Sequence, residues 1–125
     1  MAATFDLYSP RPAMSSDANS VLEQLFQTLE SRRQASAEQS YTAQLFAKGT
    51  DAILKKLAEE AGETLIAAKN TDDGELVHEL ADLWYHAMVL MVHRGLPMRA
   101  LTDELAGRMQ RSGLEEKAAR SRPED

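Results

Sequence analysis

Residues 50–69 and 75–94 are two long segments with helical periodicity, and only the five residues NTDDG separate them. Asn, Asp and Gly favour chain reversal, so we predict that the two segments pack as antiparallel helices. The second segment is apolar on nearly every side in its second half, as in a helix inside a bundle or at a subunit interface. Apolar residues at helical spacing predict the buried face of the first segment, which comprises Ile53, Leu54, Leu57, Ala61, Leu65 and Ala68.

Shorter helices are predicted on either side of this pair. The segment 19–34 carries a stripe of apolar side chains, and Asp17 or Ser16 can cap its start. About two further helical turns end at Gly49, and Thr50 can cap the helix that follows. Pro97 suits the first turn of a last helix. Since no segment shows the alternation of a strand, we predict an all-α helical bundle.

The chain of 125 residues is long enough for one domain with a single modest core. We predict a flexible N-terminal extension over residues 1–17, a helical domain over 18–111 and a charged, frayed tail over 112–125. The largely apolar second helix of the pair favours a homodimer or a higher homo-oligomer, because a chain this small has few helices to cover it.

Charge and composition restrict the classes of partner. The chain has 14 Lys and Arg against 20 Asp and Glu, and this net charge of -6 argues against nucleic-acid binding through a general basic surface. It has no cysteine, which excludes disulfides and thiolate metal sites. We find neither a signal peptide nor an apolar run of membrane-spanning length, so a cytoplasmic protein without a membrane partner is predicted.

Two pairs of acidic residues recur at a spacing of three in the long segments. Glu60 and Glu63 project from one side of the first helix, and Glu79 and Asp82 repeat the arrangement on the second. If the two pairs face each other, their oxygens converge on one position, which suits Mg²⁺ or Mn²⁺ better than Zn²⁺. Glu59 can join this side at its edge. Metal binding would relieve the repulsion between these like charges.

Other interpretations of the same residues remain open. A single E-x-x-E pattern is more often a solvated helix face than a pair of ligands. The stretch from Glu75 to His78 also has the Glu-x-x-His spacing of di-iron bundles, but a second copy is missing. Trp84 and Tyr85 could stack on a base, but bulky aromatic residues at this spacing more often pack in the core. Three methionines are also predicted to pack there: Met88, Met91 and Met98.

Residues 41–95 resemble the phosphoribosyl-ATP pyrophosphatase family, which belongs to the all-α nucleotide pyrophosphohydrolases. The shared pattern is E-x-x-E followed by E-x-x-D, and here residues 64–78 separate Glu63 from Glu79. The stretch FAKGTDAILKKLAEEAGE is more particular to this family than the acidic pattern is. Gly62 departs from good helix-forming sequence, because Ala would be about 1 kcal/mol more favourable there; Gly62 either admits a neighbouring helix or is tolerated.

The resemblance implies hydrolysis of 1-(5-phosphoribosyl)-ATP to 1-(5-phosphoribosyl)-AMP and pyrophosphate, the second step of histidine biosynthesis. It implies Mg²⁺ bound by the four acidic residues at 60, 63, 79 and 82, with Glu59 orienting or deprotonating the attacking water. A substrate site shared between subunits is also implied. The expected phosphate contacts are Lys48, Lys55, Lys56 and Lys69. The alternative is that these are solvated or helix-end charges, and for Lys69, at the end of its helix, that alternative is favoured.

His86 lies one helical turn after Asp82 and is expected either to support a metal ligand or to be an ordinary buried residue of the bundle. His78 and His93 are expected at the surface or at an interface. Two alternative functions remain: a house-cleaning pyrophosphohydrolase of non-standard nucleotides, and a non-catalytic helical dimerisation module. Substrate assays separate the first alternative from phosphoribosyl-ATP hydrolysis.

Overall fold

The computed structural model describes residues 17–110 and 113–121, so nearly all of the predicted N-terminal extension lies outside the described residues. The described ranges contain helices and no strand, which confirms the all-α prediction. None of their helices is both long and apolar enough to cross a membrane. The helices are α1 (Ala18–Arg32), α2 (Tyr41–Lys48), α3 (Thr50–Lys69), α4 (Asp73–His93), α5 (Met98–Met109) and α6 (Gly113–Ser121).

Three helices begin at side chains that cap their free backbone amides. Asp17 accepts a hydrogen bond from the amide of Ser20 at 3.1 Å, as predicted for the start of α1. Ser40 caps α2 in the same way. Asp72 accepts from the amide of Gly74 at 2.9 Å, so α4 begins two residues earlier than the NTDDG pattern predicts. Only residues 70–72 therefore connect the two long helices.

The junction of α2 and α3 differs from the prediction, because Thr50 does not cap α3. Gly49 occupies the cap position with a positive φ of 94°, and Thr50 is the first helical residue. The Thr50 hydroxyl instead lies 3.1 Å from Nε2 of His93, whose ring stacks on Phe46. A single glycine thus ends one helix and starts the next, and His93 joins both to the end of α4.

The hydrophobic core lies between α1, α2, α3 and the second half of α4, in agreement with the apolar character of that half. Met88 is buried in it, and Met91 and Met98 pack against it, as predicted for the methionines. The buried residues of this core are Phe26, Leu29, Leu45, Ile53, Tyr85, Met88, Val89 and Val92.

Several apolar residues predicted to be buried are exposed in the single chain. Leu65 on α3 is 71% exposed and Trp84 on α4 is 59% exposed, so the predictions of a buried α3 face and a core tryptophan are wrong for these residues. Leu54 and Ala68 are exposed as well. The helix α5 buries none of its residues. The helices within residues 17–110 and 113–121 leave these surfaces uncovered.

The predicted frayed tail is helical over Gly113–Ser121. The expectation of fraying rested on the high charge of this segment. Its sequence, GLEEKAARS, is rich in Leu, Glu, Lys, Ala and Arg, which all have high helix propensity.

We expect the Gly62→Ala substitution to stabilise the protein. A Cβ at this position meets nothing within 4 Å, so only the gain of about 1 kcal/mol in helix propensity applies. The melting temperature should rise by a few degrees in differential scanning calorimetry. Gly107→Ala on α5 is the matched control, because a Cβ added there also meets nothing within 4 Å. A fall for Gly62→Ala beside a rise for Gly107→Ala would contradict this expectation and indicate that another subunit approaches α3 there.

Candidate active site

The two predicted acidic pairs meet on facing sides of α3 and α4. Oxygen atoms of Glu60, Glu63 and Glu79 lie within 4.8 Å of one another. Ligand atoms of Glu79, Asp82 and His78 form a second set within the same distance, so Glu79 belongs to both. The structure therefore brings together all four carboxylates that the spacing singled out. It also adds His78, which the sequence analysis assigned to the surface or an interface and which is 61% exposed.

Hydrogen bonding by Thr64 joins the two helices at this point. Its hydroxyl lies 2.8 Å from the carbonyl oxygen of Glu60, one turn earlier on α3, and 3.3 Å from the carbonyl oxygen of Glu79 on α4. A hydroxyl has one proton, so the shorter contact is the stronger hydrogen bond. Thr64 thus lies against the backbone of one acidic residue from each pair.

Glu60, Glu63, Glu79 and Asp82 form what we call the acidic set, and burial leaves two of its oxygens without hydrogen-bond partners. Glu60 is only 2% exposed and Asp82 only 9% exposed. Within the described residues, Oε2 of Glu60 and Oε2 of Glu79 are buried and have no hydrogen-bond partner. A buried acceptor left unpaired costs about 1–3 kcal/mol, and more when it is charged. These oxygens are therefore suited to a ligand that carries positive charge, such as a divalent cation.

The protonation of the cluster reflects the same crowding. Burial, followed by the nearby carboxylates of Glu63 and Asp82, raises the pKa of Glu60 to about 7. Burial and the Glu63 carboxylate also raise the pKa of Glu79. The pKa of Glu63 is lowered, chiefly because the Glu79 carboxyl can donate a hydrogen bond to it. Without a cation, the cluster therefore retains protons at a pH where isolated glutamates have lost them.

Lys56 is the lysine closest to the acidic set among the four predicted phosphate contacts. Its Nζ lies 3.5 Å from Oε1 of Glu60 and 3.4 Å from Oε2 of Glu59. Burial lowers the pKa of Lys56, but the negative charge of an ionised Tyr41 and of both glutamates outweighs burial and raises it overall. Lys56 therefore remains charged and neutralises one oxygen of Glu60, while the other oxygen has no partner.

The other predicted phosphate contacts lie farther from the cluster. Lys69 is exposed and follows Glu60 by nine residues, about two and a half turns, so it projects from the opposite side of α3. Lys55 is exposed one residue before Lys56, and Lys48 is exposed at the last position of α2. Within this single chain, the structure does not bring these three lysines to the acidic residues.

His86 lies behind the acidic set and is completely buried. Its Nδ1 lies 2.7 Å from the carbonyl oxygen of Asp82, so Nδ1 carries the proton and donates it. Burial lowers the pKa of His86, which favours the neutral ring. The Nε2 atom then accepts a hydrogen bond from the hydroxyl of Tyr41 at 3.0 Å. His86 therefore contacts the backbone, and not the carboxylate, of the predicted ligand.

Tyr41 is a residue of this region that the sequence analysis did not single out. It is the first residue of α2 and lies 45 positions before its partner His86. The pKa of its phenol is raised, first by burial, while Lys56 opposes the shift and Glu60 and Asp82 add to it. No local spacing predicts a contact of such long range, since it depends on how α2 packs against α4.

Comparisons with known proteins agree with this geometry. A family model described as phosphoribosyl-ATP pyrophosphohydrolase matches residues 22–109, which include both acidic pairs. A relative from Chromobacterium violaceum, named phosphoribosyl-ATP pyrophosphatase, is 54% identical over 100 residues, covering 80% of this chain and 93% of the relative.

Two further relatives carry the same name. The protein of Neisseria meningitidis serogroup C is 50% identical over 103 residues, covering 82% of this chain and 96% of the relative. The protein of Methylococcus capsulatus is 50% identical over 100 residues, covering 80% and 95%. With a matching family model over most of its length and relatives at this level of identity, the chain belongs to the phosphoribosyl-ATP pyrophosphohydrolase family.

Proposed function

We propose that this chain hydrolyses 1-(5-phosphoribosyl)-ATP to 1-(5-phosphoribosyl)-AMP and pyrophosphate, a step of histidine biosynthesis. The observation that carries this proposal is the convergence of four carboxylates, two of them with a buried and unpaired oxygen, on the helix pair that the family model matches. Curated relatives at 44–54% identity are named for the same activity. A substrate made from ATP suits a cytoplasmic enzyme.

We infer that Glu60, Glu63, Glu79 and Asp82 hold Mg²⁺, with Mn²⁺ as a substitute. The fit rests on the oxygen-only character of these four ligands, on the two overlapping sets that share Glu79, and on the unpaired oxygens of Glu60 and Glu79. When bound, the cation would neutralise phosphate charge and favour attack by water on the phosphoanhydride. His78 lies at the exposed edge of this set, where an imidazole would favour Mn²⁺ more than Mg²⁺.

The remaining side chains would orient water and phosphates. Glu59 is exposed beside the acidic set, where its carboxylate can hold the attacking water and accept its proton. Lys56 lies against Glu59 and Glu60 and can stabilise negative charge that develops on a phosphate oxygen. The remaining predicted contacts are Lys48, Lys55 and Lys69. They would contact the substrate only if its phosphates extend beyond the acidic set, or if the substrate is bound between two subunits.

Pyrophosphate release is the direct test of this function. We expect turnover of phosphoribosyl-ATP with Mg²⁺ and a loss of turnover when EDTA removes the metal. Assays with dCTP and dUTP under the same conditions test the house-cleaning alternative. Faster turnover of those nucleotides than of phosphoribosyl-ATP would contradict the proposed substrate, and no turnover of any nucleotide would favour the non-catalytic alternative.

We also propose that the protein is at least a homodimer. Exposed apolar side chains lie along three helices of the single chain, and α5 buries none of its own residues. Covering such a surface with a second copy is favourable, at about 25 cal/mol per Å² of apolar area buried. The exposed residues include Leu65, Ile66, Val77, Trp84, Leu101, Leu105 and Met109.

Sedimentation velocity tests the homodimer. We expect the wild-type chain to sediment as a dimer or larger at low micromolar concentration, and Trp84→Glu to shift the equilibrium towards monomer because it places a charge on the apolar surface. Lys117→Glu on α6 is an exposed control that should leave the assembly unchanged. A stable wild-type monomer at this concentration would contradict the proposal.

A further inference from the structure

We propose that Tyr41 is a positioning residue for the metal site, because its hydroxyl holds His86 against the backbone of Asp82. The inference rests on the proposed function, since it takes Asp82 as a metal ligand. Three groups form an uninterrupted hydrogen-bonded series from the start of α2 to the acidic set. They are the Tyr41 hydroxyl, the His86 ring and the carbonyl of Asp82.

Both nitrogens of the His86 ring form hydrogen bonds in this series. The ring is completely buried, lies 2.7 Å from the Asp82 carbonyl through Nδ1 and 3.0 Å from the Tyr41 hydroxyl through Nε2. The Tyr41 and His86 rings also meet edge to face, with centroids 6.1 Å apart. A ring that is hydrogen-bonded at both nitrogens has a defined orientation. Because one of these bonds goes to the Asp82 carbonyl, the ring also helps to fix the helical turn from Asp82 to His86.

Orientation of this turn matters because Asp82 contributes to the acidic set through its side chain. Asp82 and Glu79 both lie on α4 and offer ligand atoms within 4.8 Å of one another, so a small rotation of α4 would move both of them relative to Glu60 and Glu63 on α3. Hydrogen bonds behind metal ligands commonly change metal affinity or activity by about 10–100-fold when they are removed. Tyr41 therefore acts on the site through His86 and need not touch the metal or the substrate.

A purely structural role is the competing explanation, and the neighbouring residue pair provides its control. The hydroxyl of Thr42 contacts the hydroxyl of Tyr85, so this pair also links α2 to α4 inside the protein. Both Tyr41→Phe and Tyr85→Phe remove one phenolic hydroxyl from the contact between the same two helices. The Tyr85 ring meets the His86 ring edge to face, with centroids 5.2 Å apart, and phenylalanine retains that ring contact. Tyr85→Phe therefore removes a hydroxyl that contacts Thr42, and an effect on stability alone should be similar for the two variants.

The test measures the dissociation constant of Mn²⁺ alone, by electron paramagnetic resonance, for the wild type and both variants. We expect Tyr41→Phe to weaken Mn²⁺ binding about tenfold, and Tyr85→Phe to stay within about twofold of wild type. The Mg²⁺ concentration that gives half-maximal pyrophosphate release should rise by the same factor for Tyr41→Phe. Its kcat at saturating Mg²⁺ should change less than this constant does.

A second measurement uses the wild-type protein and so does not depend on how the variants fold. During a titration with Mg²⁺, the ¹⁵N resonances of the His86 ring should shift, and the midpoint of this shift should equal the midpoint of metal binding. Unchanged ring resonances, or Mn²⁺ affinities altered equally in Tyr41→Phe and Tyr85→Phe, would overturn the role of Tyr41. Failure of the wild type to bind Mn²⁺ would instead overturn the metal site itself, and the inference with it.

Discussion

The Glu63→Gln variant is expected to release pyrophosphate from phosphoribosyl-ATP at least about 100-fold more slowly than the wild type at saturating Mg²⁺. Glu63 lies on α3 with an oxygen within 4.8 Å of oxygens of both Glu60 and Glu79, so its carboxylate belongs to the part of the acidic set that spans the two helices. Glutamine has nearly the same shape but no charge, and it therefore removes one anionic ligand without changing the packing. Mn²⁺ binding should weaken by about tenfold or more in the same variant.

Glu23→Gln provides the matched control for this loss. Glu23 is an exposed glutamate in the middle of α1, so the substitution removes the same unit of charge away from the acidic set. We expect it to retain wild-type turnover and Mn²⁺ affinity. Equal activity of Glu63→Gln and the wild type would contradict the role of Glu63 as a metal ligand.

Glu60→Gln is expected to stabilise the metal-free protein while it weakens metal binding. Burial and the nearby carboxylates of Glu63 and Asp82 disfavour the charged form of Glu60, and glutamine relieves this penalty because it carries no charge. Thermal unfolding in EDTA should show a higher melting temperature for the variant than for the wild type. Added Mg²⁺ should stabilise the wild type more than the variant, because a ligand that binds more tightly stabilises the folded state more at the same concentration.

The effect of Glu60 on stability should depend on pH in a defined direction. The pKa of Glu60 in the folded chain is raised to about 7 from an ordinary value of 4.5. The folded state therefore binds more protons than the unfolded state between these values, and the metal-free wild type loses stability as pH rises through this window. Subtracting the curve for Glu60→Gln isolates this contribution. A stability difference that is constant from pH 4.5 to pH 7.5 would contradict the assignment.

The acidic set could be predicted from sequence because its geometry follows from short-range rules. Residues three apart lie on the same side of a helix, and a short connection makes consecutive helices antiparallel neighbours. These two rules place Glu60 and Glu63 opposite Glu79 and Asp82 without knowledge of the rest of the fold. The helix boundaries were less accurate near Asp72, since its side chain caps α4 and extends the helix into a predicted turn.

Features that depend on packing between distant segments could not be predicted in this way. Tyr41 reaches His86 only because α2 lies against α4, and nothing in its immediate sequence indicates that contact. Trp84 and Leu65 are predicted to be buried from their apolar character, yet both are exposed among the described residues of the single chain. Sequence periodicity identifies an apolar face but does not identify the partner that covers it.

An anomalous-difference map from crystals grown with Mn²⁺ is the most direct measurement of where the cation binds. We expect a peak at coordinating distance from a carboxylate oxygen of each of four residues: Glu60, Glu63, Glu79 and Asp82. Peaks only elsewhere, with these carboxylates directed separately into solvent in every subunit of the assembly, would contradict the shared metal site.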